Sequence, residues 1–292
     1  MNIFTIKNDK LSVDINSLGA NLWSIKDREG TEYLWQGDVN TWPDKSMNLF
    51  PYIARLTQGK YQLFGQEYQM DIHGFAKDLD YEVKLHTDTK VIFEITDSEV
   101  TINHYPYHFT YQVCYELLEN KIYVSYAIKN HDDKTMYFGV GGHPGFNVPL
   151  EKELDFSDYS LVFSEQACAK RVGMSDDCFC TGKDEEFSLK NGKELPLRHE
   201  MFDDDAIILK DMSKEVTLIS KKGKKGVRVS YPQMNYLGIW HWPKVETPYV
   251  CIEPWSSLPS RKDVVENLEK QENLISLEAG KTYLNTWCIE IF

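Results

Sequence analysis

Four short segments carry side chains able to move protons or hold a polar ligand. They are Arg55 in FPYIARL (50–56), His73 in DIHGFAKD (71–78), His143 in VGGHPGFNVP (140–149) and Glu253 in YVCIEPWSSLPS (249–260). Each polar residue interrupts an apolar stretch punctuated by glycine or proline, the pattern of a strand running into a loop. Taken singly, each has an ordinary reading. A histidine beside glycine reads as a hydrogen-bonded turn residue, a glutamate before proline as an exposed strand end, and an arginine as a surface ion pair. Taken together, on loops that cap apolar strands, they would converge at the mouth of a sheet, where catalytic groups concentrate. A glutamate and a histidine then supply a base and an acid whose pKa values the surroundings can bring towards neutrality.

The elements that must position them repeat with period two. Residues 109–130, FTYQVCYELLENKIYVSYAIKN, alternate through two arms around a Glu-Asn turn, and residues 21–35 alternate around Asp-Arg-Glu-Gly. Further strand-like runs fall at 91–96, 161–164, 206–210, 216–220, 227–231 and 283–291, rich in the β-branched and aromatic residues that suit a half-buried pleated surface. Helical signals are few. The strongest is DVVENLEKQ (263–271), with Val265 and Leu268 on one face and Ser260 as a cap, and 45–54 suggests a short turn broken by Pro51. Many strands and almost no helix predict an all-β fold, a large antiparallel β-sandwich with few short helices. No Gly/Ser/Pro linker divides the chain, so residues 1–292 are expected to form a single domain, with 176–200 as a surface excursion between strands.

The chain has 292 residues, 42% hydrophobic and 13% aromatic, long and apolar enough to bury a core without staples. Acidic residues outnumber basic ones 45 to 32, and the net charge of −13 argues against nucleic-acid and anionic-membrane partners. The six cysteines include one close pair, Cys178-Phe-Cys180, without a second pair or a nearby histidine to complete a zinc set. No run reaches the ~18 apolar residues of a membrane span, and MNIFTIKNDK lacks a signal-like apolar stretch. The expectation is a cytoplasmic protein with no metal, whose oligomeric state the sequence leaves open.

The polar segments also carry a resemblance. Gly142-His143-Pro144-Gly145-Phe146-Asn147 resembles the His-x-x-Phe-Asn segment of the aldose 1-epimerase (galactose mutarotase) superfamily. Ile72-His73-Gly74-Phe75 resembles its His-Gly segment, preceded by an arginine at Arg55, and Cys251-Ile252-Glu253-Pro254-Trp255 resembles the segment bearing its glutamate base. With residues 18–35 the likeness runs in order over nearly the whole chain and is nearest to the LacX-like branch. It implies a galactose mutarotase-like supersandwich with an open sugar cleft, a small-molecule sugar partner, no cofactor, and interconversion of the α and β anomers of an aldose. It further implies Glu253 as the base on the C1 hydroxyl and His143 as the acid on the ring oxygen. Arg55 and His73 would bind sugar hydroxyls, and the sugar-binding aspartate would fall in Asp203-Asp204-Asp205, with Asp205 favoured.

Pro144-Gly145 departs from the larger residues of the galactose-specific pattern, which leaves a hexose or a hexose phosphate open as substrate. A carbohydrate-binding or regulatory protein without turnover is the alternative on the same fold. A glycoside-cleaving enzyme fits less well, because it would call for two carboxylates rather than a Glu/His pair. Trp35, Trp242, Trp255 and Tyr52 are candidates for a sugar platform, whereas Trp23 and Trp287 read as core. The basic run 221–226 reads as a turn between strands, and His104 and His108 as core or turn residues, since Pro106 bars a helical zinc spacing.

Overall fold

The period-two alternation becomes two large antiparallel sheets in the computed structural model, which describes residues 2–292. The nine-stranded sheet runs in the spatial order Glu194–Pro196, Tyr159–Phe163, Glu215–Ser220, Gly226–Ser230, Thr282–Ile291, Lys121–Asn130, Phe109–Leu118, Lys90–Thr96 and Glu82–His86. Its centre is the hairpin read from the sequence. Phe109–Leu118 pairs with Lys121–Asn130 in unbroken register, and Glu119 turns the chain with a φ of 56°.

Seven strands form the second sheet: β1 (Ser46–Leu49), β2 (Gly141–Asn147), β3 (Lys170–Arg171), β4 (Glu185–Glu186), β5 (Ile207–Lys210), β6 (Tyr236–Trp240) and β7 (Tyr249–Trp255). Their spatial order is β4-β3-β5-β6-β7-β2-β1. Two adjacent strands, β7 and β2, are buried along almost their whole length. Burial on both faces explains why their sequences read as apolar runs rather than as clean alternation.

The two sheets meet through large side chains. Trp287 of the nine-stranded sheet fills the space over Gly142, where a Cβ would sit 2.5 Å from its indole. Tyr126 donates from its hydroxyl to Asn48 Oδ1 at 2.9 Å and reaches the Gly141 carbonyl at 3.1 Å. Asn48 donates in turn to Ala20 O and Tyr115 Oη. These buried polar groups are satisfied, so they fix how one sheet sits on the other instead of destabilising the interior.

Three expectations are corrected. Residues 263–271 form no helix: Glu266–Asn267 is a short strand parallel to Lys60–Leu63. The reason is Glu266, whose buried carboxylate accepts from the backbone N–H, Nε and Nη2 of Arg261 and so holds the segment extended. Ser260 is not a cap but a buried partner of Thr57, accepting its N–H at 2.8 Å. Residues 45–54 hold β1 rather than a turn. The one α-helix among the described residues is Glu99–His104, missed because six residues give too short a window for periodicity; Ser98 and Thr101 cap it reciprocally.

The basic run is the expected turn between Glu215–Ser220 and Gly226–Ser230. Three of its four lysines are ion-paired, Lys221 with Glu194, Lys222 with Asp158 and Lys225 with Asp27 and Glu29.

Gly74 shows how tightly the loops are tied to this frame. It has a φ of +71°, and a Cβ there would lie 2.3 Å from the Phe50 carbonyl oxygen. That same oxygen accepts from the N–H groups of Phe75 and Ala76. Gly74→Ala is expected to cost about 1–3 kcal/mol, read as a lowered urea midpoint. Gly30→Ala is the control, because φ is +81° there but nothing lies within 4 Å. Equal losses would show that the close approach to Phe50 is not what requires glycine.

Candidate active site

β2 and β7 place the proposed acid and base opposite each other. Gly141 pairs with Trp255 and Gly145 with Cys251, a register that sets His143 across from Glu253. On the flanks His143 pairs with Met47 of β1, and Glu253 with Gly238 of β6, which itself pairs with Ile208 of β5. Met47, His143, Glu253, Gly238 and Ile208 therefore form one row across five strands. Gly238 leaves room for its neighbours, since a Cβ there would lie 3.3 Å from Glu253 Cβ and 3.1 Å from the Trp255 ring. The expectation that every site residue sits on a loop at the sheet mouth is thus corrected. His143 and Glu253 stand mid-strand on the sheet face, while Arg55, His73 and Asp205 come from loops that rise around them.

All five converge on one open cleft of about 250 Å³. Nε2 of His143 lies 3.2 Å from Oε2 of Glu253, with both side chains buried. That is hydrogen-bond distance, yet the alignment is poor: Glu253 Oε2 and His143 Nδ1 have no well-directed partner in the protein. Two buried polar atoms left in this state are ready to bond a ligand. The His143 ring is held by Trp42 (centroids 5.0 Å, tilted), His73 (5.4 Å, edge-on) and Trp240 (5.7 Å, edge-on).

His73 has a φ of 66° and is fixed by a reciprocal pair of bonds with Ala54. Its N–H donates to Ala54 O at 2.9 Å, and its Nδ1 accepts from Ala54 N–H at 3.1 Å. An accepting Nδ1 puts the ring proton on Nε2, so the imidazole is a hydrogen-bond donor. Burial, and then the neighbouring His143, hold it well below the usual histidine pKa and so neutral.

Asp205 has a φ of 74°; its Oδ1 accepts from Ala206 N–H, and its Oδ2 accepts from the Cys178 thiol at 3.0 Å. Asp204 also lines the cleft, and Asp203 does not. Cys178 comes from the segment read as a surface excursion, and burial followed by Asp205 pushes its thiol up to about 12. It stays protonated and serves as a donor to the carboxylate.

The aromatic wall differs from expectation. Trp242 and Trp255 line the cleft as candidates should, joined by Trp42 and Trp240, which sequence reasoning missed. Trp240 could have been found from the alternation Gly238-Ile239-Trp240, which puts it on the face of Gly238. Trp35 instead stacks on Tyr249, and Tyr52 is buried with its hydroxyl bonded to Gln271. Trp287 is core as read, but Trp23 is only half-buried, with Lys45 Nζ 4.1 Å above its ring. Gly145 explains the position of Trp42, because a Cβ at 145 would lie 2.6 Å from that indole.

Burial dominates the electrostatics of the pair. It drives His143 down to about 3 and, with the nearby charge of Asp205, raises Glu253 well above its usual 4.5. Both groups are pushed towards their neutral forms, and together they hold one proton as a coupled unit. Cys251, on the same face two residues from Glu253, brings a third potential ligand atom: one donor atom from each of His143, Cys251 and Glu253 lies within 4.8 Å of the others. A zinc-like cation accepts that donor set, although burial and Glu253 hold the Cys251 thiol protonated.

The aldose 1-epimerase family model matches residues 2–274. The chain is 31% identical over 287 residues to the plasmid and chromosomal LacX proteins of Lactococcus lactis subsp. lactis, covering 94% of this chain and 96% of those. Among solved structures, a galactose mutarotase related enzyme from Lactobacillus acidophilus superposes with a TM-score of 0.95 at 30% identity, over 100% of this chain and 97% of that one. A galactose mutarotase-like protein from Lactobacillus casei gives 0.95 at 29%, with both chains fully covered. The chain belongs to the aldose 1-epimerase family, and its fold is that of the galactose mutarotase-like proteins.

The buried pair sets the sign of a pH dependence. Between the usual values of 4.5 and 6.5 the unfolded chain holds one proton on these two residues, as the folded pair does, so stability is flat there. Above 6.5 the unfolded chain releases that proton while Glu253 keeps it in the folded state, and stability falls as pH rises. Glu253→Gln removes this penalty. Its melting temperature relative to wild type is expected to rise from pH 6 to pH 8.5, and a pH-independent difference would show that Glu253 is not held protonated.

Proposed function

We propose that this protein is a cofactor-independent mutarotase, an isomerase that interconverts the α and β anomers of an aldose by opening and reclosing the ring. The observation that carries the reading is the Glu253–His143 pair, 3.2 Å apart on the floor of a cleft walled by tryptophans. The cleft has room for one pyranose, and the indoles offer apolar faces to its C–H groups.

In the working form Glu253 is a carboxylate and His143 an imidazolium, a tautomer of the neutral pair reached by moving one proton across the contact. Hydroxyl donors of a bound sugar favour the carboxylate. Glu253 takes the proton of the C1 hydroxyl, the C1–O5 bond breaks as C1=O1 forms, and His143 delivers its proton to O5. The products are the open-chain aldehyde and the neutral pair, so the protons balance within the site. Rotation about C1–C2 presents the other carbonyl face, and the same two transfers run backwards. His73 donates from Nε2 to a sugar oxygen, Asp205 accepts from sugar hydroxyls, and Arg55 donates at the rim. The neutral pair that burial favours matches the open-chain stage, which lowers the energy of the intermediate relative to water.

Glu253→Gln and His143→Asn are each expected to lower kcat by about 10²–10⁴-fold with the fold retained by circular dichroism. Polarimetry on freshly dissolved α-glucose and α-galactose reads this, and near-normal rates in either variant would remove that residue from the mechanism. Because the coupled pair keeps its single proton from about 3, where His143 is protonated, to the raised range of Glu253, kcat/KM is expected to stay level through neutrality. Breaks at the ordinary carboxylate and histidine values would indicate two independent, solvated groups. Dialysis against EDTA should leave the rate unchanged, since both steps are proton transfers.

A further inference from the structure

The sheet face that carries the acid–base pair holds a further donor that the proposed reaction does not use. Cys251 stands on β7 one step along the same face from Glu253, opposite Gly145 on β2 and Trp240 on β6. His143 and Cys251 are therefore diagonal neighbours across the β2–β7 ladder. One donor atom from each of His143, Cys251 and Glu253 lies within 4.8 Å of the others, and all three residues are buried. The proton transfers assigned to His143 and Glu253 leave the thiol without a part.

The donor types decide which ion suits them. Magnesium and calcium take about six or more oxygen ligands, whereas this set is one imidazole, one thiol and one carboxylate. That mixture matches a borderline-soft divalent cation such as zinc. With zinc–ligand bonds of about 2.0–2.3 Å in a tetrahedron, donors on one ion stand about 3.3–3.6 Å apart. His143 and Glu253 already meet this at 3.2 Å, and the sulfur needs to close by no more than about 1 Å.

Charge balance favours the ion as well. A divalent cation with a thiolate, a carboxylate and a neutral imidazole is neutral, and so is the metal-free site with its thiol and the one proton held by the pair. Two protons leave for solvent as the cation enters, so burial is left with no uncompensated charge. Glu253 Oε2, buried and without a well-directed partner, is an atom waiting for a ligand. Because β2 and β7 fix all three residues beforehand, little side-chain freedom is lost on binding. His143 and Glu253 line the cleft and Cys251 lies beneath them, so a fourth position stays open on the cleft side.

We propose that His143, Cys251 and Glu253 form an inhibitory site for zinc and similar thiophilic divalent cations, in which the metal occupies the lone pairs that would carry the reaction's two protons. The ion competes for the pair and is no resident cofactor, so the metal-free protein is the active form. Binding stands apart from the mutarotase reading, and only the inhibition rests on it.

The test titrates EDTA-dialysed full-length protein with ZnCl2 and MgCl2 by calorimetry, and with CdCl2 by ultraviolet absorption, where a cadmium–thiolate bond gives a charge-transfer band. The band is expected in the wild type, lost in Cys251→Ser and unchanged in Cys168→Ser, whose cysteine is exposed. Zinc affinity is expected to fall about 100-fold or more in Cys251→Ser, since even changes outside the ligand shell cost about 10–100-fold. If that variant does not fold, His143→Asn decides by calorimetry: the same fall supports the site, and full affinity overturns it. Polarimetry on α-galactose with added ZnCl2 should show mutarotation lost as the site fills and restored by excess EDTA. A band that survives Cys251→Ser, zinc held no tighter than magnesium, or zinc bound without loss of rate would each overturn the proposal. If no sugar is accelerated even in metal-free protein, the mutarotase reading fails instead, and the titrations still decide the metal site.

Discussion

The rest of the site depends on one constraint: a carboxyl and an imidazole face each other across two strands that are buried along nearly their whole length. In water such a pair would form an ion pair or drift apart. On β2 and β7 the cross-strand register fixes their separation, and burial makes both charges costly at once. The two groups therefore share a proton instead of settling as two ions. This suits a reaction in which one proton must leave and another arrive in the same event, because the two states of the pair differ by one short transfer. Trp42, Trp240 and His73 pack the imidazole on three sides and limit its rotation, which keeps that transfer short.

Backbone strain is concentrated around this pair. Four cleft-lining residues other than glycine, Ala54, His73, Cys178 and Asp205, lie in the left-handed region. Such positions cost of order 1 kcal/mol or more each and persist only where the surroundings over-determine them. The reciprocal bonds between Ala54 and His73 do this on one side of the cleft. The Cys178 thiol and Ala206 N–H, both donating to the Asp205 carboxylate, do it on the other. The loops are thus held rigidly enough to present their polar atoms without help from a ligand.

How much of this was legible in the sequence depended on what each signal needs. Alternation is local, so the 109–130 hairpin and most strands of the nine-stranded sheet were readable. Arg55, His73, His143, Asp205 and Glu253 were picked out through short motifs, and they meet in one cleft. Their mounting was not legible: Glu253 before Pro254 looked like a strand end because β7 is buried on both faces and loses its alternation. DVVENLEKQ misled for the opposite reason. Its apolar spacing is helical, but the buried Glu266 carboxylate holding Arg261 and the long-range pairing of Glu266–Asn267 with Lys60–Leu63 outweigh a weak local preference. Trp42, Trp240 and Cys178 were missed because their roles follow from sheet register and from a chain excursion folding back, neither of which a linear pattern carries.

The division between strands and loops has a consequence for specificity. The groups proposed for the reaction sit on the least deformable part of the molecule, and those proposed for sugar hydroxyls sit on loops anchored to it, so the loops can change without disturbing the pair. Gly145 shows the coupling between the two. With no side chain at 145, the Trp42 indole lies against the sheet beside His143, supplying an apolar wall where a larger residue would have occupied the same space itself. An aromatic wall selects for the C–H face of a ring and is indifferent to most of its hydroxyls. If the proposed sugar reading holds, discrimination falls to the rim, to Arg55, Asp204 and Asp205, where hydroxyls would meet polar side chains. On the proposed reading, the floor of this site serves any hemiacetal that reaches it, and the choice of substrate falls to its edges.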